Sequence, residues 1–96
     1  MVKFIIKRDG RQVDYDISKI SNAIQKAMGD EYDNTIITQL ANSVEQKLFE
    51  KYNEQIPNVE NIQDIVEDVL MNNGYSSIAK KYIIYRAERT KERDMN

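Results

Sequence analysis

Apolar positions along the chain change their period twice, and the changes mark the elements. Lys3 to Lys7 (Lys-Phe-Ile-Ile-Lys) is short, apolar and β-branched, which predicts a strand. Asp9-Gly10 follows, a strong hairpin signal because a type I′ turn needs positive φ at both central residues. Gln12 to Tyr15 then reads as the returning strand. From Asp16 onward the period becomes helical. Asp16 is placed as an N-cap, and Ile17, Ile20, Ala23, Ile24, Ala27 and Met28 form one stripe that Gly29 ends. After a polar loop, a second helix is predicted from about Thr35 to Tyr52, with Ile36, Ile37, Leu40, Ala41, Val44, Leu48 and Phe49 inward. Asn53 to Asn58 holds the only proline, Pro57, and is read as a break able to supply an edge strand. A third helix is expected over Val59–Asn73, with Ile62, Ile65, Val66, Val69 and Leu70 inward. Asn73-Gly74 stops it, and Ser76 is expected to cap a fourth helix through about Arg93, with Ile78, Ala79, Tyr82, Ile83 and Tyr85 inward.

These elements predict a helix-dominated α+β fold: a four-helix bundle capped at one end by a small β-hairpin. At ninety-six residues, 41% hydrophobic and 31% charged, the chain is expected to form one domain over 1–96. No apolar run reaches the roughly 18 residues of a membrane span. Met1-Val2-Lys3 opens no long apolar segment, so a cytoplasmic setting is the expectation. The charged ending, Thr90 to Asn96, suggests a longer parent protein. Cysteine and histidine are absent. That excludes disulfides, thiol or histidine-base catalysis and zinc sites with nitrogen or sulfur ligands. An oxygen-ligand Mg²⁺, most simply one carried by a nucleotide, stays open.

Charge is segregated behind the net value of −2: residues 1–26 carry +3, residues 27–79 carry −8 and residues 80–96 carry +3. If the two basic ends meet in space they make one positive surface. Overall acidity suits a small anionic ligand better than nucleic acid. Lys7, Arg8 and Arg11 surround the turn, and Lys19 stands in the first turn of the next helix. Spacing alone leaves two readings for the turn cations, a solvated surface or an anion site. Lys19 speaks for the second, because a cation at a helix N-terminus is mildly unfavourable and gains from a bound anion. The Gly-rich spacing of a phosphate-binding loop is absent, so side chains must do the holding. Asp16 serves as cap, ligand contact, or both if its oxygens divide the roles. Ile5 and Ile20 are core residues by default, yet such a pair also makes an apolar slot for a purine. Arg86, Arg89 and Arg93 recur at three-to-four spacing on the last helix, and its dipole accounts for Arg89, Lys91 and Arg93 without a ligand. Glu60, Asp64, Glu67 and Asp68 read as a solvated face, and Tyr82 and Tyr85 as half-buried packing residues. No acid–base pair or activated nucleophile stands out, so neither catalytic nor metal-binding residues are assigned.

The ordered set Lys7-Arg8-Asp9-Gly10-Arg11, Tyr15-Asp16, Lys19-Ile20, Ile62 to Glu67, Gly74-Tyr75, Ala79 to Arg86 and Arg89 resembles the ATP-cone, over about residues 2–93. The Tyr-Ile-Ile-Tyr-Arg ending and lysine-rich start look most like anaerobic ribonucleoside-triphosphate reductases. The resemblance implies a three-stranded sheet over four helices and an allosteric domain at the N-terminus of a ribonucleotide reductase large subunit. It implies ATP or dATP as effector, bound without hydrolysis, with the catalytic domain or other reductase subunits as partners. It implies that Lys7, Arg8 and Arg89 meet the phosphates. The stretch Val13, Asp14, Tyr15, Asp16, Ile17, Ser18 and Lys19 would wrap the nucleotide, and Ile5 and Ile20 would sandwich the adenine. Val13 and Val59 depart from the pattern, standing where some members place an acidic residue and a threonine. A nucleic-acid-binding module and a plain assembly domain remain the competing readings.

Overall fold

The computed structural model describes residues 1–94, with side chains to residue 91. Two short strands come first, β1 (Phe4–Ile6) and β2 (Gln12–Asp14), antiparallel with Ile5 opposite Val13. Four helices follow: α1 (Ile17–Met28), α2 (Asn34–Lys51), α3 (Val59–Asn72) and α4 (Ser76–Asp94). A single 3₁₀ turn, Gly29–Glu31, leads from α1 toward α2.

The hairpin turn is not the type I′ turn that Asp9-Gly10 suggested. Gly10 N–H donates to the Lys7 carbonyl at 2.9 Å, so Arg8 and Asp9 occupy the centre of the turn. Only Gly10, at φ 88°, is in the left-handed region; Asp9 is not. This is a three-residue connection with the glycine at the bulge position. The Asp9 carboxylate favours it, accepting from the Arg11 N–H at 3.1 Å and from Arg11 Nε at 2.7 Å.

The helix starts follow from their caps. Asp16 caps α1 as the sequence predicts, and Asp33 caps α2 by accepting from Ile36 N–H. Asn58 and Asn61 cap α3 reciprocally, each carboxamide oxygen accepting from the other's backbone N–H at 2.8 and 3.0 Å. Ser76 is the first residue of α4 rather than the residue before it. The Ala79 N–H reaches back to the Tyr75 carbonyl at 2.8 Å.

The inward stripes meet in one hydrophobic cluster. Ile24, Val44, Leu48 and Leu70 are entirely out of water, and α1, α2, α3 and α4 all contribute to the cluster. α1 packs against α2 and α4, and α3 packs against the same two. Ile83, expected inward, is 47% exposed; the inward stripe of α4 runs through Ile78, Ala79 and Tyr82 instead. Ile36 and Phe49 are only half-buried.

The sheet among the described residues has two strands, not the three implied by the resemblance. The segment before α3 makes one parallel bridge, Asn58 with Ile6, and no further ladder. Pro57 has no N–H to donate, and the capping box commits Asn58 to the start of α3. What survives is one bond, from Ile6 N–H to the Pro57 carbonyl at 3.0 Å. That bond seats the hairpin beside the first turn of α3.

Candidate functional site

An open groove of about 390 Å³ runs between the hairpin and the helices α1, α3 and α4. Its position follows from the fold. β1 contributes Ile5, the residue after it Lys7, and the link from β2 to α1 adds Tyr15 and Asp16. On α1, Lys19, Ile20, Ala23 and Lys26 lie at three-to-four spacing along one side. On α3 the same spacing presents Val59, Ile62, Gln63 and Val66. On α4 it presents Tyr82, Tyr85 and Arg89.

The two basic ends of the chain therefore meet. Lys7, Lys19 and Lys26 come from the first basic segment and Arg89 from the last, 63 residues beyond Lys26, and all four line the groove. The same groove is lined by Ile20, Ile62 and Val66, which belong to the core cluster, and by Ile5, which packs against it. A cleft with apolar walls and cations at its edge is suited to a ligand with a flat hydrophobic part and an anionic tail.

Asp16 caps α1 through a single oxygen. Ser18 N–H and the Ser18 hydroxyl both donate to Oδ1, at 2.9 and 2.7 Å. The cap is thus held by one oxygen of a carboxylate that also borders the groove. The Ser18 bonds, with Lys19 nearby, hold its pKa below the usual carboxylate value. It faces the groove as an anion.

Tyr15 spans from the groove to α2. Its hydroxyl donates to Glu45 Oε2 at 2.7 Å, and its ring meets Phe49 edge-on at 5.7 Å between centroids. Burial first, and then the Glu45 bond, raise its phenol pKa, so it remains a donor. Tyr82, buried in the core side of the groove, is likewise raised by desolvation. Lys26 Nζ sits 5.7 Å from the centroid of the Tyr85 ring, a cation–π contact on the groove wall.

Ion pairs brace the two walls. Arg86 Nη1 on α4 donates to Glu67 Oε1 at 2.5 Å and to Asp64 Oδ1 at 2.9 Å on α3. Burial works against the Arg86 charge, but the Glu67 and Asp64 bonds outweigh it and its pKa is raised. Arg8 Nη2 meets Glu60 Oε1 at 2.5 Å. The acidic face of α3 is therefore not merely solvated, since Glu60, Asp64 and Glu67 each hold an arginine, while Asp68 is exposed.

Of the residues singled out from the sequence, Ile5, Lys7, Tyr15, Asp16, Lys19, Ile20, Val59 and Arg89 come together in the groove. Five lie outside its lining. Arg8 turns to Glu60, over a shallower hollow that adjoins the groove through Lys7 and Val59. Val13 and Asp14 sit in β2 opposite Ile5 and Phe4. Ile17 packs on the core, and Ser18 spends its N–H and hydroxyl on Asp16. Arg11 turns back on Asp9, and the Arg93 side chain lies outside the described residues. Sequence reasoning missed Asn22, Ala23, Lys26, Ile62, Gln63, Val66, Tyr82 and Tyr85 as groove residues. Their signal was present: following the helical spacing from Lys19, Val59 and Arg89 reaches them.

Comparison with known proteins bears on the same region. The chain matches the family model described as the ATP cone domain over residues 3–91. It is 42% identical over 96 residues to the vitamin B12-dependent ribonucleoside-diphosphate reductase of Thermoplasma acidophilum, an alignment covering 93% of this chain. Identity is 36% over 95 residues to the anaerobic ribonucleoside-triphosphate reductase of Haemophilus influenzae, covering 94% of this chain. It is 41% over 96 residues to the ribonucleoside-diphosphate reductase subunit alpha of Treponema pallidum, covering 93%. The chain spans only 12%, 13% and 11% of those three proteins' own lengths. A family match from the first strand to the last helix takes in every element that lines the groove, and the chain belongs to the ATP-cone family.

Proposed function

We propose that this chain is an allosteric effector domain that binds ATP or dATP in the groove without hydrolysing it. In this reading it regulates the activity and oligomeric state of a ribonucleotide reductase. The observation that carries the reading is the meeting of Lys7, Lys19 and Arg89, from three separate elements, at the edge of one apolar cleft. The adenine lies between Ile5 and Ile20, and the phosphates lie toward Lys7, Lys19 and Arg89. Asp16 faces the sugar with the oxygen that the cap leaves over. Mg²⁺ arrives with the phosphates, because no three carboxylates gather among the described residues. With no histidine, no cysteine and no activated nucleophile, the groove is a binding site and not a hydrolytic one. ATP and dATP differ by one hydroxyl, so their discrimination rests on a polar contact at the ribose. The partners are the catalytic domain or other subunits of the reductase, and the chain acts as one regulatory module over residues 1–96 in a cytoplasmic enzyme. The four helices form the bundle that holds the site.

Titration calorimetry with ATP, dATP and GTP tests the reading. Lys7→Ala and Lys19→Ala are each expected to weaken ATP binding by about tenfold or more, the size of a lost charge-assisted hydrogen bond, while circular dichroism stays helical. Unchanged affinity in both variants refutes the placement of the phosphates. Binding to duplex DNA with a steep salt dependence, and no response to mononucleotides, favours the nucleic-acid reading instead.

A further inference from the structure

Two of the turn cations leave the groove: Arg11 folds back on Asp9, and Arg8 stops over a hollow that adjoins it. Arg8 is held by Glu60 across 52 residues of sequence, at 2.5 Å, over a hollow of about 290 Å³. That hollow shares Lys7 and Val59 with the groove, so a ligand tail extending past Lys7 arrives at Arg8. The bond from Ile6 N–H to the Pro57 carbonyl keeps the turn and the start of α3 adjacent whether or not Arg8 and Glu60 touch. The pair is exposed, with side chains 33% and 52% accessible, and it uses a single guanidinium nitrogen. An ion pair of that kind is weak. Glu60 also has a second source of stabilisation, since it lies in the first turn of α3 where the helix dipole favours an anion. Losing Arg8 therefore leaves Glu60 in a favourable place.

We infer that Glu60 is a positioning residue that grades affinity by phosphate number, holding Arg8 beside the groove until a polyphosphate tail draws it away. This rests on the nucleotide site proposed above and goes beyond it. A triphosphate reaches the hollow and exchanges its own oxygens for those of Glu60; a monophosphate ends near Lys7 and leaves the pair closed. Glu60 thus competes with the terminal phosphates for one guanidinium. It lowers affinity for the longest tails and leaves short ones untouched.

The test is titration of the whole chain with ATP and AMP, in the unaltered protein, Glu60→Gln, Arg8→Met and the double variant. Glu60→Gln is expected to tighten ATP about two- to fivefold, the factor set by one exposed ion pair, with AMP unchanged. The gain is expected to vanish on the Arg8→Met background, and to shrink between about 0.05 M and about 1 M salt as screening grows. Circular dichroism verifies that each variant is folded. Equal tightening for AMP, a gain that persists without Arg8, or weaker ATP binding in Glu60→Gln each overturns the inference. ATP binding indifferent to Glu60→Gln overturns it alone; absence of adenine-nucleotide binding by the unaltered chain overturns the site together with it.

Discussion

Removing one carboxylate from the brace between α3 and α4 separates two effects of similar appearance. Arg86 bonds both Glu67 and Asp64 through the same nitrogen, at 2.5 and 2.9 Å. Accessibility divides them: the Arg86 and Glu67 side chains are 19% and 24% exposed, Asp64 67%. Stranding one member of a fully buried pair costs about 3–5 kcal/mol, whereas an exposed pair is worth about 0.2–1 kcal/mol. Glu67 lies nearer the buried limit, so Glu67→Gln is expected to cost about 2 kcal/mol, in line with a hydrogen bond to a charged group. Asp64→Asn is expected to cost about 0.5 kcal/mol, because water replaces most of what it offers. For a domain of this size those values lower the thermal midpoint by about 8–16 °C and about 2–4 °C respectively. Differential scanning calorimetry on both variants measures the contrast. Replacing Glu67 by Leu together with Arg86 by Met should recover most of the loss, since the only charge left unpaired is that of Asp64, which water already reaches. Equal drops for the two single variants, or a larger drop for Asp64→Asn, refute the assignment of the stability to the Glu67 contact.

Two further outcomes are expected. Tyr15→Phe keeps the edge-on contact with Phe49 but deletes the bond to Glu45, and should cost about 1–2 kcal/mol in urea denaturation; an unchanged midpoint means that the hydroxyl contributes nothing. Asp16 has a pKa depressed in the folded state by its Ser18 bonds, so its contribution is complete above the unfolded carboxylate value and fades as pH falls through and below that value. Asp16→Asn preserves the cap without the titration, and should flatten the acid side of the stability curve; identical acid profiles for the two proteins rule out this role.

Most of the fold was legible because the apolar periods were clean: Ile24, Leu48, Val66 and Ile78 all fall where helical spacing puts them. The caps at Asp16 and the stop at Gly29 were equally plain, being local chemistry. The errors came where the deciding partner is elsewhere. Asp9 looked ready for a left-handed turn, but its carboxylate is engaged by Arg11 and only Gly10 takes positive φ. Pro57 looked like part of a strand, but a proline that cannot donate next to a capping asparagine supports a single bridge. Arg8 and Lys7 are neighbours in sequence and looked equivalent as cations. Glu60, half the chain away, separates them. Of the groove's lining, Lys7, Lys19 and Arg89 were legible in the sequence, whereas Gln63, Tyr82 and Tyr85 join it only once α3 and α4 are placed side by side.

The lone bond between Ile6 and Pro57 bears on the sequence of events by which the molecule forms. A two-stranded hairpin is at best marginally stable in water by itself, and closing a loop of some fifty residues carries an entropic penalty that nearer contacts avoid. Strands β1 and β2 precede the helices in sequence yet are expected to settle late, after α3 has begun beyond Asn58 and given them something to rest on. A chain caught before that docking has helical content and an incomplete cleft, so helicity should recover ahead of ligand affinity during refolding.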